Sequence, residues 1–388
     1  MGKWTRRGFI SAGVVGGAAL VVGVAIRPGN QNSKLAPMMT SDGESLINAW
    51  VKIDADNKVT AIVPHSEMGQ GAQTALSQML ADELDAKWSD VSFIEAPAED
   101  AYANYALGKG FILGDAKIPS VLVGTVDGVF QTVADAMHLQ ITGGSLSIRA
   151  TGVYGMRVAG AAAKQMLLEA AAAEWQVPVN QLTASEGMIS DGARSAPYAE
   201  FAAAAGQLQP PHSPKLKSAD EFTIMGTSKP RLDIPAKVDG SALFGIDVEV
   251  PGMVYATVTA APVFGATVKS VNSDRVLDSP GIIDVVNLDN AVAVVADSYW
   301  RAKKALAGLD IEWQQTASKS VNSDQIFTQF QNDISNAIAK GDVSEDRVIG
   351  KSNAAFESAN RVVEREYRVP YLAHACMEPM NAVASVMD

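Results

Sequence analysis

Residues 67–84 read Glu67-Met68-Gly69-Gln70-Gly71-Ala72-Gln73-Thr74-Ala75-Leu76-Ser77-Gln78-Met79-Leu80-Ala81-Asp82-Glu83-Leu84. Just upstream, Lys58 to Pro64 is rich in Val, Ile and Thr and reads as a short strand. Downstream, Leu76, Met79, Leu80 and Leu84 recur at helical spacing. The order is therefore strand, glycine loop, helix start. Such an arrangement can hold an anionic cofactor, because glycines let the backbone come close and the free N–H groups of the first helical turn face negative charge. An isolated Gly-x-Gly is more often a plain turn.

Working outward, the 388 residues suffice for two or three domains with real cores. A formal net charge of −12, with Lys and Arg scattered outside the extreme N-terminus, argues against nucleic acid, since phosphate binding needs clustered cations. The single Cys376 excludes an intramolecular disulfide and a cysteine cluster, and is read as a buried thiol packing as a small hydrophobe. The four histidines, His65, His138, His212 and His374, show no i, i+4 pairing and no metal spacing, so no protein-ligated metal is expected. A cofactor held by hydrogen bonds suits this inventory.

At the N-terminus, Thr5-Arg6-Arg7-Gly8-Phe9-Ile10 matches a twin-arginine export signal. The apolar stretch Ala12 to Ile26 that follows is shorter than the ~20 residues of a full membrane span. No clean Ala-x-Ala site follows. The expectation is a periplasmic protein, with the uncleaved segment as a potential inner-membrane anchor.

The chain divides on this reading into 1–45 (signal and linker), 46–208 (a first α/β unit), 209–222 (a Pro-rich linker), 223–315 (a second unit) and 316–388 (a connector and further core). In the first unit, Val91 to Glu95 is a strand, Tyr154 to Trp175 a long helix, Leu182 to Ser190 a hairpin and Tyr198 to Ala205 a helix ended by Gly206. In the second, Met253 to Thr259, Ile282 to Asn287, Ala291 to Ala296 and Ile311 to Trp313 are strands, and Asp297-Ser298 caps a helix. Val362 to Val369 and Val383 to Met387 also read as strand-like. Thr142-Gly143-Gly144-Ser145-Leu146-Ser147-Ile148-Arg149 reads, by itself, as a polar turn before a strand.

The loop Met68-Gly69-Gln70-Gly71 resembles the Met-Gly-Gln-Gly cofactor loop of the xanthine dehydrogenase family of molybdenum hydroxylases. The resemblance is nearest the branch holding the isoquinoline oxidoreductase large (beta) subunit and the membrane-associated aldehyde dehydrogenases. Thr142, Gly143, Gly144 and Ser145 match a second family loop, in which small polar residues and backbone amides reach the phosphate end of the cofactor. Independently, Arg231-Leu232-Asp233, Lys237-Val238-Asp239-Gly240, Asp247, Pro251-Gly252-Met253 and Pro262 resemble the family's hammerhead domain. His374-Ala375-Cys376-Met377-Glu378-Pro379-Met380-Asn381-Ala382 resembles the start of its molybdenum-binding core.

The resemblance implies an α+β chain: a molybdopterin-binding-type α/β unit, then an a/b hammerhead domain. It implies a molybdopterin cofactor, taken in its cytosine dinucleotide form, and hydroxylation of aldehydes or N-heterocycles. The partners it implies are a small iron–sulfur subunit, with the iron–sulfur clusters only there, and a cytochrome c subunit. The cofactor-binding residues it implies are Met68, Gly69, Gln70, Gly71, Thr142, Gly143, Gly144 and Ser145. Glu67, Glu83 and Glu378 match non-catalytic positions, and no catalytic residue is assigned. The family's Gly-rich loop near the metal, its glutamine close to the metal and its C-terminal Gly-Glu base have no match in this sequence, so a truncated or split enzyme is expected. A cofactor-free binding or assembly protein is the alternative from another class. An unrelated periplasmic binding protein leaves both matching segments unexplained.

Overall fold

The computed structural model describes residues 31–386, apart from 114–116, 212, 345, 346, 348 and 374. The twin-arginine motif and the apolar stretch after it lie outside the described residues. Two compact units, 1–242 and 243–388, make up the chain.

The first unit is organised on a four-stranded sheet in the order β1 (Glu44–Asn48), β2 (Val51–Asp54), β3 (Val59–Val63) and β4 (Val91–Glu95). β1, β2 and β3 are antiparallel neighbours, whereas β3 and β4 run parallel, from Val59 opposite Val91 to Val63 opposite Glu95. A parallel pair requires a crossover, and the Ala72–Leu84 helix supplies it. Every residue of β3 is buried, as a strand covered on both faces must be.

The helical spacing read from the sequence is realised here. Leu76, Leu80 and Leu84 are fully buried and join Met166, Leu167 and Phe201 in one core cluster. The second layer is the Arg157–Trp175 helix, entered through a π-helical turn over Gly152–Met156. Two glycines allow it to lie close to the 72–84 helix. A Cβ on Gly160 would stand 2.3 Å from the Leu80 carbonyl oxygen, and one on Gly152 would meet the Met79 sulfur.

A hairpin of β5 (Thr183–Ser185) and β6 (Met188–Ser190) follows, extended by β7 (Ser195–Pro197). Its two central turn residues, Glu186 and Gly187, both have positive φ, as a primed hairpin turn requires. The Tyr198–Ala205 helix packs against the sheet, and buried Asn32 ties both ends of the unit together. The Asn32 amide donates to the carbonyls of Leu46 at 2.7 Å, Ile47 at 3.0 Å and Gly206 at 2.9 Å.

The expected linker 209–222 only partly separates units, since the division falls between Ala242 and Leu243. The physical reason is Asp82, whose carboxylate accepts the backbone N–H groups of Thr223, Ile224 and Met225 and the Lys217 ammonium. The segment is thereby fastened along the 72–84 helix.

In the second unit β8 (Tyr255–Ala260), β10 (Ile282–Asn287) and β11 (Ala291–Ala296) form an antiparallel sheet with β11 central, and β9 (Thr267–Asn272) pairs with β12 (Asp310–Gln314). The Tyr299–Leu306 helix lies on β8 and β11 through buried Ala302. Ser298 is its N-cap, as expected, but no side chain caps it. Asp297 instead pairs with Arg301. The Ser323–Lys340 helix is closed by an Asn322–Gln325 capping box and ended by Gly341 at φ 65.

Several expectations fail. Val362 to Val369 and the described residues 383–386 form no strand, because no neighbouring strand among the described residues offers them a ladder. Cys376, expected in a core, is exposed for the same reason: nothing in the described chain covers the 375–386 stretch. Ser145–Thr151 is a helix rather than a strand, since it runs directly into the helical stretch beginning at Gly152. Among the described residues no helix is long and apolar enough to cross a membrane.

Candidate cofactor site

The loop between β3 and the 72–84 helix begins at His65, which is buried. Its Nε2 meets the Thr151 hydroxyl at 2.8 Å, pinning the end of β3 to the π-helical turn. Burial pushes its pKa down, so the ring is neutral at pH 7. Gly69 and Gly71 then take φ values of 96° and 77°, the left-handed conformation that favours glycine. A Cβ at either position, or at Gly144, would meet no atom within 4 Å. These turns face open space, where a ligand's bulk can approach the backbone.

The structure brings the two predicted loops together. Ser66 N donates to the Thr142 hydroxyl at 2.9 Å, and Gln70 Nε2 reaches the Gly143 carbonyl at 3.5 Å. Gln70 also spans its own loop, its Nε2 donating to Ser66 O at 2.8 Å and its Oε1 accepting from Met68 N at 2.7 Å. Met68 itself is 62% exposed, and Gly144 precedes the short helix headed by exposed Ser145. Beside the loops a cavity of about 450 Å³ is lined by His65, Ser66, Glu95, Asp100, His138 and Thr142, among others. His138 hydrogen-bonds Asp100 at 2.8 Å, which pushes the imidazole pKa up.

The glycine amides do not face that space. Gly69 N and Gly71 N donate to Glu67 Oε1 at 2.8 and 2.9 Å, and Arg231 Nη2 lies 3.1 Å from the same oxygen. Arg231 is oriented by Asp233, which accepts its Nε at 2.9 Å and its Nη2 at 2.6 Å. The Arg231 pairing, aided by Lys237, holds the Asp233 carboxyl well below the usual range. Three buried polar atoms around this loop have no hydrogen-bond partner among the described residues: His65 Nδ1, Glu67 Oε2 and Gln73 Oε1. The Gln73 amide orientation is fixed, because its Nε2 faces two acceptors, His65 O and Glu95 Oε1.

Open glycine turns, with buried polar atoms beneath them that lack a partner among the described residues, fit a polar, hydrogen-bonding ligand. Among the described residues no group of three or more His, Cys, Asp and Glu could hold a metal ion.

Sequence reasoning missed Glu67 as the acceptor of the loop amides and placed Arg231 in the second unit. Arg231 and Glu67 are far apart in sequence, and no local pattern announces the pair. Of the carboxylates weighed, Glu83 is fully buried and pairs with Arg157 at 2.5 Å, a structural contact remote from open space. Glu378 accepts from Gly245 N at 3.2 Å in the second unit.

Residues 11–108 match the molybdopterin cofactor-binding domain family. Over 98% of its length the chain is 29% identical to isoquinoline 1-oxidoreductase subunit beta of Brevundimonas diminuta, covering 50% of that protein. Over 99% of its length it is 27% identical to a membrane-bound aldehyde dehydrogenase (pyrroloquinoline-quinone) of Gluconacetobacter polyoxogenes, covering 46% of it. A solved CO dehydrogenase from Oligotropha carboxidovorans aligns at 19% identity and a TM-score of 0.21 over 24% of this chain and 15% of that one, too slight a likeness to inform the fold. The chain thus spans about half the length of the curated relatives it matches. It carries a segment that matches the molybdopterin cofactor-binding domain family and is similar to part of these longer relatives.

Proposed function

We propose that this chain supplies one wall of the cofactor site of an exported, molybdopterin-dependent oxidoreductase. The observation that carries the reading is the meeting of the 66–71 and 142–145 loops through Ser66–Thr142 and Gln70–Gly143. Two segments that each resemble a cofactor loop, more than seventy residues apart, would have no reason to converge in an unrelated fold. The open glycine turns of 68–71 lie against one part of the ligand, while the hydroxyls of Thr142 and Ser145 are suited to phosphate oxygens. Neutral His65 can accept or donate at its unpaired Nδ1.

The chemistry a bound molybdopterin supplies is two-electron oxidation, aldehyde plus water giving carboxylic acid, two protons and two electrons. By likeness to the named relatives, an aldehyde or N-heterocycle is the substrate class, and by the loop resemblance a small iron–sulfur subunit takes the electrons. The cytosine dinucleotide form and a cytochrome c partner belong to the same reading. The second unit is read as the hammerhead domain, supported by β8, β10, β11, the 299–306 helix and β12 falling where the sequence patterns put them, although the landmarks Arg231 to Asp233 and Lys237 to Gly240 lie in the first unit.

The test is metal and pterin content. The chain, co-produced with the second half of the isoquinoline-type relative in a host that makes molybdopterin, should retain molybdenum and fluorescent pterin. Gly71→Val should lower both about tenfold, since a β-branched residue at φ 77 costs roughly 1–3 kcal/mol of strain. Folded protein devoid of pterin under these conditions would sink the proposal.

Export is tested separately. Replacing Arg6 and Arg7 with Lys should leave the protein in the cytoplasm, and unchanged periplasmic yield of that variant would refute twin-arginine routing.

A further inference from the structure

The nest formed by Gly69 and Gly71 is the place where an external anion would be expected, because consecutive left-handed turns aim N–H groups to one side. An acceptor already stands there. Glu67 Oε1 takes both N–H groups, at 2.8 and 2.9 Å, and lies 3.1 Å from the Arg231 guanidinium. The Glu67 side chain is only 9% exposed, so these are charge-assisted bonds shielded from water. A second carboxylate, Glu95, accepts Gln73 Nε2 at 2.8 Å and Glu67 N at 3.4 Å. The nearby guanidinium is shared with Asp233. An incoming phosphate would therefore meet two carboxylates and spent donors. The second Glu67 oxygen, Oε2, is buried and has no hydrogen-bond partner among the described residues.

We infer that Glu67 is the loop's resident anion, a positioning residue that holds the Gly69–Gly71 turn in shape and withholds its N–H groups from phosphate. The phosphate end of a ligand is then left to Thr142 and Ser145. The ligand's identity rests on the function proposed above, but the inference about Glu67 can be tested with no molybdenum cofactor present. Its failure is thus distinguishable from failure of that function.

The experiment is amide hydrogen exchange and chemical-shift titration with pyrophosphate on the full chain, as wild type, Glu67→Ala and Glu67→Gln. In wild type, Gly69 and Gly71 should exchange slowly and pyrophosphate should leave their resonances unmoved. In Glu67→Ala both amides should exchange about tenfold faster or more, and pyrophosphate should shift them saturably. Protection of Met225 N, held by Asp82 elsewhere in the unit, reports that the variant remains folded. Should Glu67→Ala lose that protection, the isosteric Glu67→Gln decides, with roughly three- to tenfold faster exchange expected. Saturable shifts of Gly69 and Gly71 by pyrophosphate in wild type would overturn the inference. So would unchanged exchange in a folded variant.

Discussion

Asp82→Ala should lower the free energy of unfolding by about 3–5 kcal/mol, the range for removing one partner of a buried ion pair. Asp82 has no exposed side-chain surface, and its partner Lys217 is 11% exposed, with its ammonium 2.9 Å from Asp82 and 2.6 Å from Asp85. Removing the carboxylate strands part of that charge and leaves the N–H groups of Thr223, Ile224 and Met225 without their acceptor. Burial pushes the Asp82 carboxyl up, but the Lys217 ammonium and the three backbone donors outweigh it and set the pKa below the usual value. A depressed folded pKa contributes stability above the unfolded value, near 3.8, and loses it as pH falls through the folded value. The deficit of the variant should accordingly be full at pH 7 and shrink below about pH 4. Denaturant titrations of both proteins at pH 7 and pH 3.5 measure this, and a loss under 1 kcal/mol at pH 7 would show that the 217–225 segment is not held by Asp82.

The second large effect is expected at Gly160. Alanine there gains about 1 kcal/mol of helix propensity. Its Cβ, however, would stand 2.3 Å from a backbone oxygen, that of Leu80, and 3.1 Å from the Glu83 Cβ. A backbone atom cannot swing aside, so the 157–175 and 72–84 helices must separate, opening the packing of Leu76 and Leu80. Net destabilisation of about 1–3 kcal/mol is expected for Gly160→Ala and more for Gly160→Val. Gly144→Ala, whose Cβ meets open space, should stay within about 0.5 kcal/mol. Equal melting temperatures for the two alanine variants would refute the close-approach account.

Elements whose signal is local were legible. The 72–84 helix, β4, the 183–190 hairpin and the 198–205 helix all fall where spacing and turn residues put them. Spacing also placed the glycine loop between a strand read as Lys58 to Pro64 and a helical pattern from Leu76, and the structure sets its ends at Val63 and Ala72. The misreadings share one cause. Val362 to Val369 has strand-like residues, yet a strand exists only against a partner, and partners are not local. Arg231 carries no mark of its attachment to Glu67, and neither does Lys217 of its attachment to Asp82 across 135 positions. At the loop itself the glycines were legible as conformational signals, whereas the identity of the group accepting their N–H bonds depended on a side-chain rotamer no spacing reveals.

Asn32 joins residues 174 positions apart when it donates to Gly206. On a ribosome moving at roughly 5–20 residues per second, on the order of 10–35 s separate the emergence of the two. During that interval the Leu46 and Ile47 carbonyls already have Asn32 as a donor, whereas the Tyr198–Ala205 helix that packs on β1 is still to be made. The earliest-made strand thus waits longest for its helical cover, which makes nascent chains stalled between residues 48 and 206 the forms most prone to chaperone capture and to pairing with each other.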